Sequence, residues 1–475
     1  MAKTSSPSSR QLPQLPSAVL YEIATHLING LNGEDEQDDI DHHRITLSTL
    51  KSLRLTCRDA ARMTNINRAM FKSINLHATE DKLQQLVLTG LSPIKHFVRQ
   101  LNFFPSPYIP GLTREQFEDM LRIHYSGFKF PSQCLRCRQV DDEHAEDVSC
   151  LPLSDREIVA QFMSYKKSAD EDMDLIRDGI LPELLRKEIL LLRNVSSIRL
   201  CSNTTLRSRQ PHLINDHCDR CEDNSSFTDS ITSFMDSITG PNGDRLFEAV
   251  TRTLISTQLP VEELQIGCEL ENTFQPGWSD RSWRQLNLDK LKTITINKVP
   301  FLALCQSGPG HSECPAASLM CAAVIEKVQN TVEDITLRHG NGLHWANFEW
   351  PSVSQLDPLP LRSVHLDSFY LDADAIADAM LLSTRLEKLS LHRSHTDDWK
   401  TLFNAVRHKP NSFDFVCFDM WSSKMLSWDF DIKEKDVAEV GPAKETPLQK
   451  DLYSYLTQGG EWTEFLEEVF PPHDF

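Results

Sequence analysis

A six-residue signature, apolar-x-x-apolar-x-apolar, recurs along this chain and constrains its fold more than any other feature. The clearest copies are Val261, Leu264, Ile266; Leu291, Ile294, Ile296; Val332, Ile335, Leu337; Leu361, Val364, Leu366; and Leu386, Leu389, Leu391. Weaker copies are Phe71, Ile74, Leu76; Val98, Leu101, Phe103; Val195, Ile198, Leu200; and Phe413, Val416, Phe418. The last two apolar positions of each copy are two residues apart, the period of a strand with one buried face. Copies starting at 261, 291, 332, 361, 386 and 413 follow one another in steps of 30, 41, 29, 25 and 27 residues. Between them, Leu83, Leu86 and Val87, then Leu246, Phe247, Val250 and Leu254, then Trp399, Leu402, Phe403 and Val406 fall at helical spacing. The expected class is α/β.

With 475 residues the chain exceeds one core of ordinary size, so several domains or a stacked array of repeats is required. An ordinary α/β domain is the rival of the array, and the spacing shared by so many copies favours the array. Stacked strands would expose Glu262, Glu263, Gln265, Lys292, Thr293, Thr295, Glu333, Thr336, Arg362, His365, Lys388 and Ser390 on a polar face suited to binding a protein.

Two long excursions, 104–190 and 201–245, leave the early part of the array, and each carries a Cys-x-x-Cys. Cys134 and Cys137 with Cys218 and Cys221 could supply four thiolates to one structural zinc, which would order two polar segments. Free thiols in loops are the equal alternative. Scattered Cys57, Cys201, Cys268, Cys305, Cys314, Cys321 and Cys417 read as small buried hydrophobes.

At the front, residues 1–10 are polar, and Ser17 caps a helix whose Val19, Leu20, Ile23 and Leu27 share one stripe. An acidic loop, 32–41, precedes a second helix with Leu50, Leu53, Leu55, Cys57 and Arg58, and a third runs towards Met70 and Phe71. The ordered set Leu15-Pro16-Ser17, the first-helix stripe, Leu50, Leu53, Leu55-Thr56-Cys57-Arg58 and Met70-Phe71 resembles the F-box family. The repeats behind it are similar to the irregular leucine-rich repeats that follow the F-box in many substrate adaptors. That resemblance implies a three-helix F-box over 11–70 and a repeat region with insertions over 71–430. It further implies that Leu15, Pro16, Val19, Leu20, Ile23, Leu50, Leu53 and Cys57 dock the Skp adaptor of a cullin-RING ubiquitin ligase while the repeats hold a protein substrate. A repeat scaffold without a ligase, and an enzyme assembled from the insertions, are the competing readings. The acidic loop is longer than the family's usual link, but loop length is cheap, about 0.6 kcal/mol per doubling.

Acidic residues outnumber basic ones by 68 to 49, and a net charge of -19 argues against nucleic acid as a partner. No stretch is long and apolar enough for a bilayer, and no secretory leader is recognisable, so an intracellular chain without a required cofactor is expected. Common hydrolase, nucleotide and metalloprotease motifs are missing, and His339 and His344 beside their glycines read as loop surface, so no catalysis is assigned. After a charged linker beginning at 431, Leu448, Leu452, Tyr455, Leu456, Trp462, Phe465, Leu466 and Phe470 should cap the last repeat.

Overall fold

The computed structural model describes residues 21–27, 48–55, 61–121, 154–201, 243–270, 280–299, 315–339, 346–350, 358–408, 412–419, 424–431 and 447–470, apart from single positions and pairs inside these spans. The chain is mixed α/β, built on one ten-stranded sheet. Its strands are β1 (Ser73–His77), β2 (Gln100–Phe104), β3 (Ser197–Leu200), β4 (Glu263–Ile266), β5 (Thr293–Val299), β6 (Asp334–His339), β8 (Ser363–Asp367), β10 (Lys388–His392), β12 (Ser412–Asp419) and β13 (Lys424–Asp431). They lie side by side in chain order. Each is parallel to the one before it until β13, which pairs antiparallel with β12. Three short strands, β7 (Ala346–Phe348), β9 (Phe369–Leu371) and β11 (His395–Thr396), form a second parallel sheet that the sequence signature does not announce.

Parallel neighbours cannot be joined by tight hairpins and need crossover segments, here mostly helical. Helices Glu80–Thr89, Ile180–Ile189, 243–257, Pro315–Val328, Ala373–Leu382 and Trp399–Val406 occupy these returns. The last two start at aspartate caps, Asp372 accepting from the Ala375 N–H at 2.9 Å and Asp398 from the Thr401 N–H at 3.0 Å.

The register turns the signature into continuous rows. Ile74, Leu101, Ile198, Leu264, Ile294, Ile335, Val364, Leu389 and Phe413 stand opposite one another from strand to strand. Two residues on, Leu76, Phe103, Leu200, Ile266, Ile296, Leu337, Leu366 and Leu391 make a second row, all buried. Burying a side chain of this kind is worth roughly 1.5–3 kcal/mol. The last copy is corrected: Phe413 pairs with Leu389, so its apolar partner two residues on is Phe415 rather than the Val416 and Phe418 of the expected signature. The run Phe413-Asp414-Phe415-Val416-Cys417-Phe418 fits both spacings, and the pairing with β10 selects one.

The first excursion is less of an insertion than its polarity suggests. Leu181, Leu185 and Ile189 of helix Ile180–Ile189 are 1 % exposed and join the main core, while Phe117, Leu121 and Ile158 form a small core of their own. Helix Asp155–Arg177 is pinned to the array by Asp172, which is 5 % exposed. Its carboxylate accepts from the Glu80 N–H at 3.0 Å, at the start of helix Glu80–Thr89, and from the Ser106 hydroxyl at 2.5 Å. Burial pushes the Asp172 carboxyl up, against the two hydrogen bonds that favour the anion. At the far end Leu452, Tyr455, Leu456, Leu466 and Phe470 are buried in the main core as expected of a cap, with Phe470 5.4 Å from Phe403. Phe465 departs from that expectation at 38 % exposed, and so does Val87, at 53 %, on its helix. Among the described residues no helix is long and apolar enough to cross a membrane.

Candidate functional site

The first candidate surface is the helical cluster at the front. Segments 21–27 and 48–55 and helix Thr64–Phe71 meet at Ala24, Leu50 and Ile66, with Leu27, Leu53, Met63, Ala69 and Met70 packed around them. Arg54 braces the turn, its Nε donating to Asn67 Oδ1 at 3.1 Å and its guanidinium lying 5.1 Å from the centre of the Phe71 ring. These buried residues form a core separate from the main one. Only Lys72 separates the third helix from β1.

Of the eight docking candidates, Leu15, Pro16, Val19, Leu20 and Cys57 lie outside the described residues. Ile23 is 39 % exposed, and Leu53 is half-buried. Leu50 is corrected: at 0 % exposed it faces Ala24 and Ile66 and cannot touch a partner as placed. Leu50 and Leu53 lie three residues apart on the stripe that faces the small core, whereas Leu55 points away and is 73 % exposed. With Tyr21, 56 % exposed, and Ile23, Leu55 gives this small unit three large apolar side chains in water.

The second surface is the polar face of the sheet. Just before each strand the residues Glu262, Lys292, Glu333, Arg362 and Glu387 form a ladder of alternating charge. From Lys292 onward each backbone N–H donates to the carbonyl of the residue before it in the ladder, at 2.7 to 2.8 Å. Lys292 lies 3.8 Å from Glu262, and Arg362 lies 3.8 Å from Glu333 and 2.9 Å from Glu387. Earlier in the sheet the face is amide-rich, Asn102 Nδ2 donating to Asn75 Oδ1 and Ser73 Oγ, both at 2.9 Å. Most of the expected outward residues take their places here. Ser390 does not, being 2 % exposed.

Within this face β8 and β10 bring together three side chains that sequence reasoning did not connect. His365 and Asp367, two residues apart, share a face of β8, and His392 stands opposite Asp367 on β10. One ligand atom from each lies within 4.8 Å of the others, and the two imidazole rings meet edge to face at 4.6 Å. Arg393 clamps Asp367 with two bonds, Nε to Oδ1 at 2.8 Å and Nη2 to Oδ2 at 2.6 Å, while the Ser368 hydroxyl donates to Oδ1 at 2.9 Å. Arg338 Nε donates to His365 Nε2 at 3.4 Å. Ser368 and Arg393 both adopt left-handed backbone, φ +67° and +48°, where β8 and β10 end and the chain bends towards β9 and β11. The signal for this cluster was the 25-residue step between the two copies, which carries position 367 onto 392.

The four cysteines of the two Cys-x-x-Cys pairs lie outside the described residues. Cys268 and Cys321 are buried as expected, and burial pushes the Cys201 thiol up to about 11, so it stays protonated at neutral pH. His339 is corrected from loop to core: it ends β6, is 2 % exposed and packs against Phe369 with ring centres 6.4 Å apart. A cleft of about 280 Å³ beside helix Asp155–Arg177, lined by Leu112, Phe162, Tyr165, Lys166 and Asp170 among others, holds no nucleophile paired with a base. Comparison with known protein families, curated proteins and solved structures finds no match to this chain.

Proposed function

We propose that the chain is the substrate-recognition subunit of a cullin-RING ubiquitin ligase, an F-box adaptor whose leucine-rich-repeat-like array presents a protein substrate. The observation that carries this reading is the front helical unit. It has its own three-residue core among the described residues, apart from the sheet's, and leaves Tyr21, Ile23 and Leu55 in water. Exposed apolar groups on so small a unit are accounted for by a partner that covers them. In this reading Leu15, Pro16, Val19, Leu20, Ile23, Leu53 and Cys57 form the docking face for the Skp adaptor, and Leu50 holds that face in shape from beneath.

The array behind it supports the second half of the reading. Consecutive parallel strands with helical returns build a long polar face, the kind of surface on which repeat proteins bind other proteins. Such an adaptor does no chemistry. It raises the local concentration of substrate lysines near the ligase's catalytic subunits. A structural zinc held by Cys134, Cys137, Cys218 and Cys221 fits the same intracellular reading without being needed for it.

The test is co-purification of the full-length chain with the Skp adaptor, beside a Leu15→Ala, Pro16→Ala variant. Stoichiometric capture by the parent and loss in the variant is the expected result. Equal capture by both, or capture by neither, would remove the ligase and leave a protein-binding scaffold.

A further inference from the structure

We propose that His365, Asp367 and His392 form a binding site for a divalent transition-metal ion of the zinc class, with Arg393 as the group that neutralises Asp367 when the metal is away. The inference rests on β8 and β10 alone and stands whether or not the chain is a ligase adaptor.

Three observations carry it. Two imidazoles and a carboxylate are the donor set that zinc, cobalt and ferrous ions take up, and here all three come from one face of two adjacent, register-locked strands. Donor atoms that already lie within 4.8 Å of one another need only small side-chain rotations to surround an ion at bonding distance. The strand backbones that hold them are fixed by parallel pairing on both sides, β8 to β6 and β10 to β12, so little of the site has to be organised on binding.

Charge supports the same reading. Asp367 is 7 % exposed, and a carboxylate so placed requires a cation. Arg393 fills that need now, but its side chain is 40 % exposed and follows the strand's end, so it can turn outward when a doubly charged ion arrives. Arg338 Nε lies 3.4 Å from His365 Nε2, a contact long enough to yield to an ion. Three donors leave at least one coordination position for water or for a carboxylate or imidazole of a bound protein, which would place the ion inside the polar face rather than beneath it.

Chelator-stripped full-length protein titrated with Co²⁺, and with Zn²⁺ against a chromophoric competitor, tests the site. The expected result is one cobalt per chain with a spectrum of nitrogen and oxygen ligands, lost in a His365→Ala, His392→Ala variant that keeps the parent's far-ultraviolet dichroism. Metal on the Cys-x-x-Cys pairs would show thiolate-to-cobalt charge transfer and is counted apart. Arg393→Ala, which removes the competitor and leaves the three donors, should bind roughly tenfold more tightly. This variant keeps the test decisive should the double substitution misfold. A parent chain that takes up no cobalt with the nitrogen and oxygen signature, the same uptake in the double variant, or an Arg393→Ala affinity no tighter than the parent's would overturn the proposal.

Discussion

The helical unit at the front and the sheet behind it are made from the same aliphatic side chains but dispose of them in opposite ways. In the sheet every strand from β2 to β12 has a neighbour on each side, and the row from Leu101 to Ile335 is exposed by 2 % or less. In the front unit three short helices bury Ala24, Leu50 and Ile66 completely and then run out of partners, leaving Tyr21, Ile23 and Leu55 outside. Stacking hides apolar surface by repetition, whereas a three-helix unit of this size has little core of its own in which to hide it.

The difference is sharpest in what a buried methyl group is worth to each region. Ile335→Ala, in the middle of the row, opens a cavity that flanking strands cannot collapse, and should cost about 2–5 kcal/mol. Thermal unfolding followed by dichroism should show the main transition moving down by several degrees. Leu50→Ala removes a side chain just as buried, but from a core that the sheet does not share. Here the main transition should stay put while amide exchange over 48–71 rises towards that of an open segment. A shift of the main transition by Leu50→Ala equal to that of Ile335→Ala would show one cooperative unit and break the comparison.

The same contrast explains how far the sequence could be read. In the array each apolar position repeats, so a spacing error in one copy is checked by the next, and strands β4, β5, β6, β8 and β10 fall where the signature places them. At Phe413 no following parallel copy exists to arbitrate between two spacings, and the choice fell on the wrong one. In the front unit periodicity marks Leu50 and Leu53 as one stripe, yet nothing local says whether that stripe faces the unit's own core or a partner. Val87 and Phe465 failed for the same reason on their helices. The His365, Asp367 and His392 cluster was hidden differently. It exists only once the 25-residue step is converted into strand register, a tertiary fact built from two segments that look unrelated in line.

Asp172 tests whether the long helix of the first excursion belongs with the sheet. Asp172→Ala would leave the Glu80 N–H and the Ser106 hydroxyl without their acceptor and should cost about 1–3 kcal/mol. Asp172→Asn keeps an acceptor for Glu80 and lets the Ser106 hydroxyl turn to accept. The sign of its pH dependence follows from the raised folded-state value. A carboxyl raised on folding contributes stability below its unfolded pKa, and that contribution is lost as pH rises through the folded one. Asp172→Asn should therefore equal the parent in acid, below the ordinary aspartate range, and gain on it above the folded pKa. Urea unfolding at acid and neutral pH measures this, and a parent more stable than Asp172→Asn at neutral pH would contradict it.

The smallest effect on the fold is expected where the apolar side chains are least packed, and that is what makes it informative. Ile23→Ser and Leu55→Ser together remove two exposed groups that contribute little to either core, so unfolding should change by no more than about 0.5 kcal/mol for each. Were the two side chains mere surface, binding would be equally indifferent. If they are the uncovered remainder of a unit that needs a partner, capture of the Skp adaptor should fall well over tenfold while the melting curve stays in place. A drop in stability as large as the drop in binding would mean that Ile23 and Leu55 are held by the chain itself. The front unit would then be an ordinary satellite core, and its contrast with the sheet would be one of size alone.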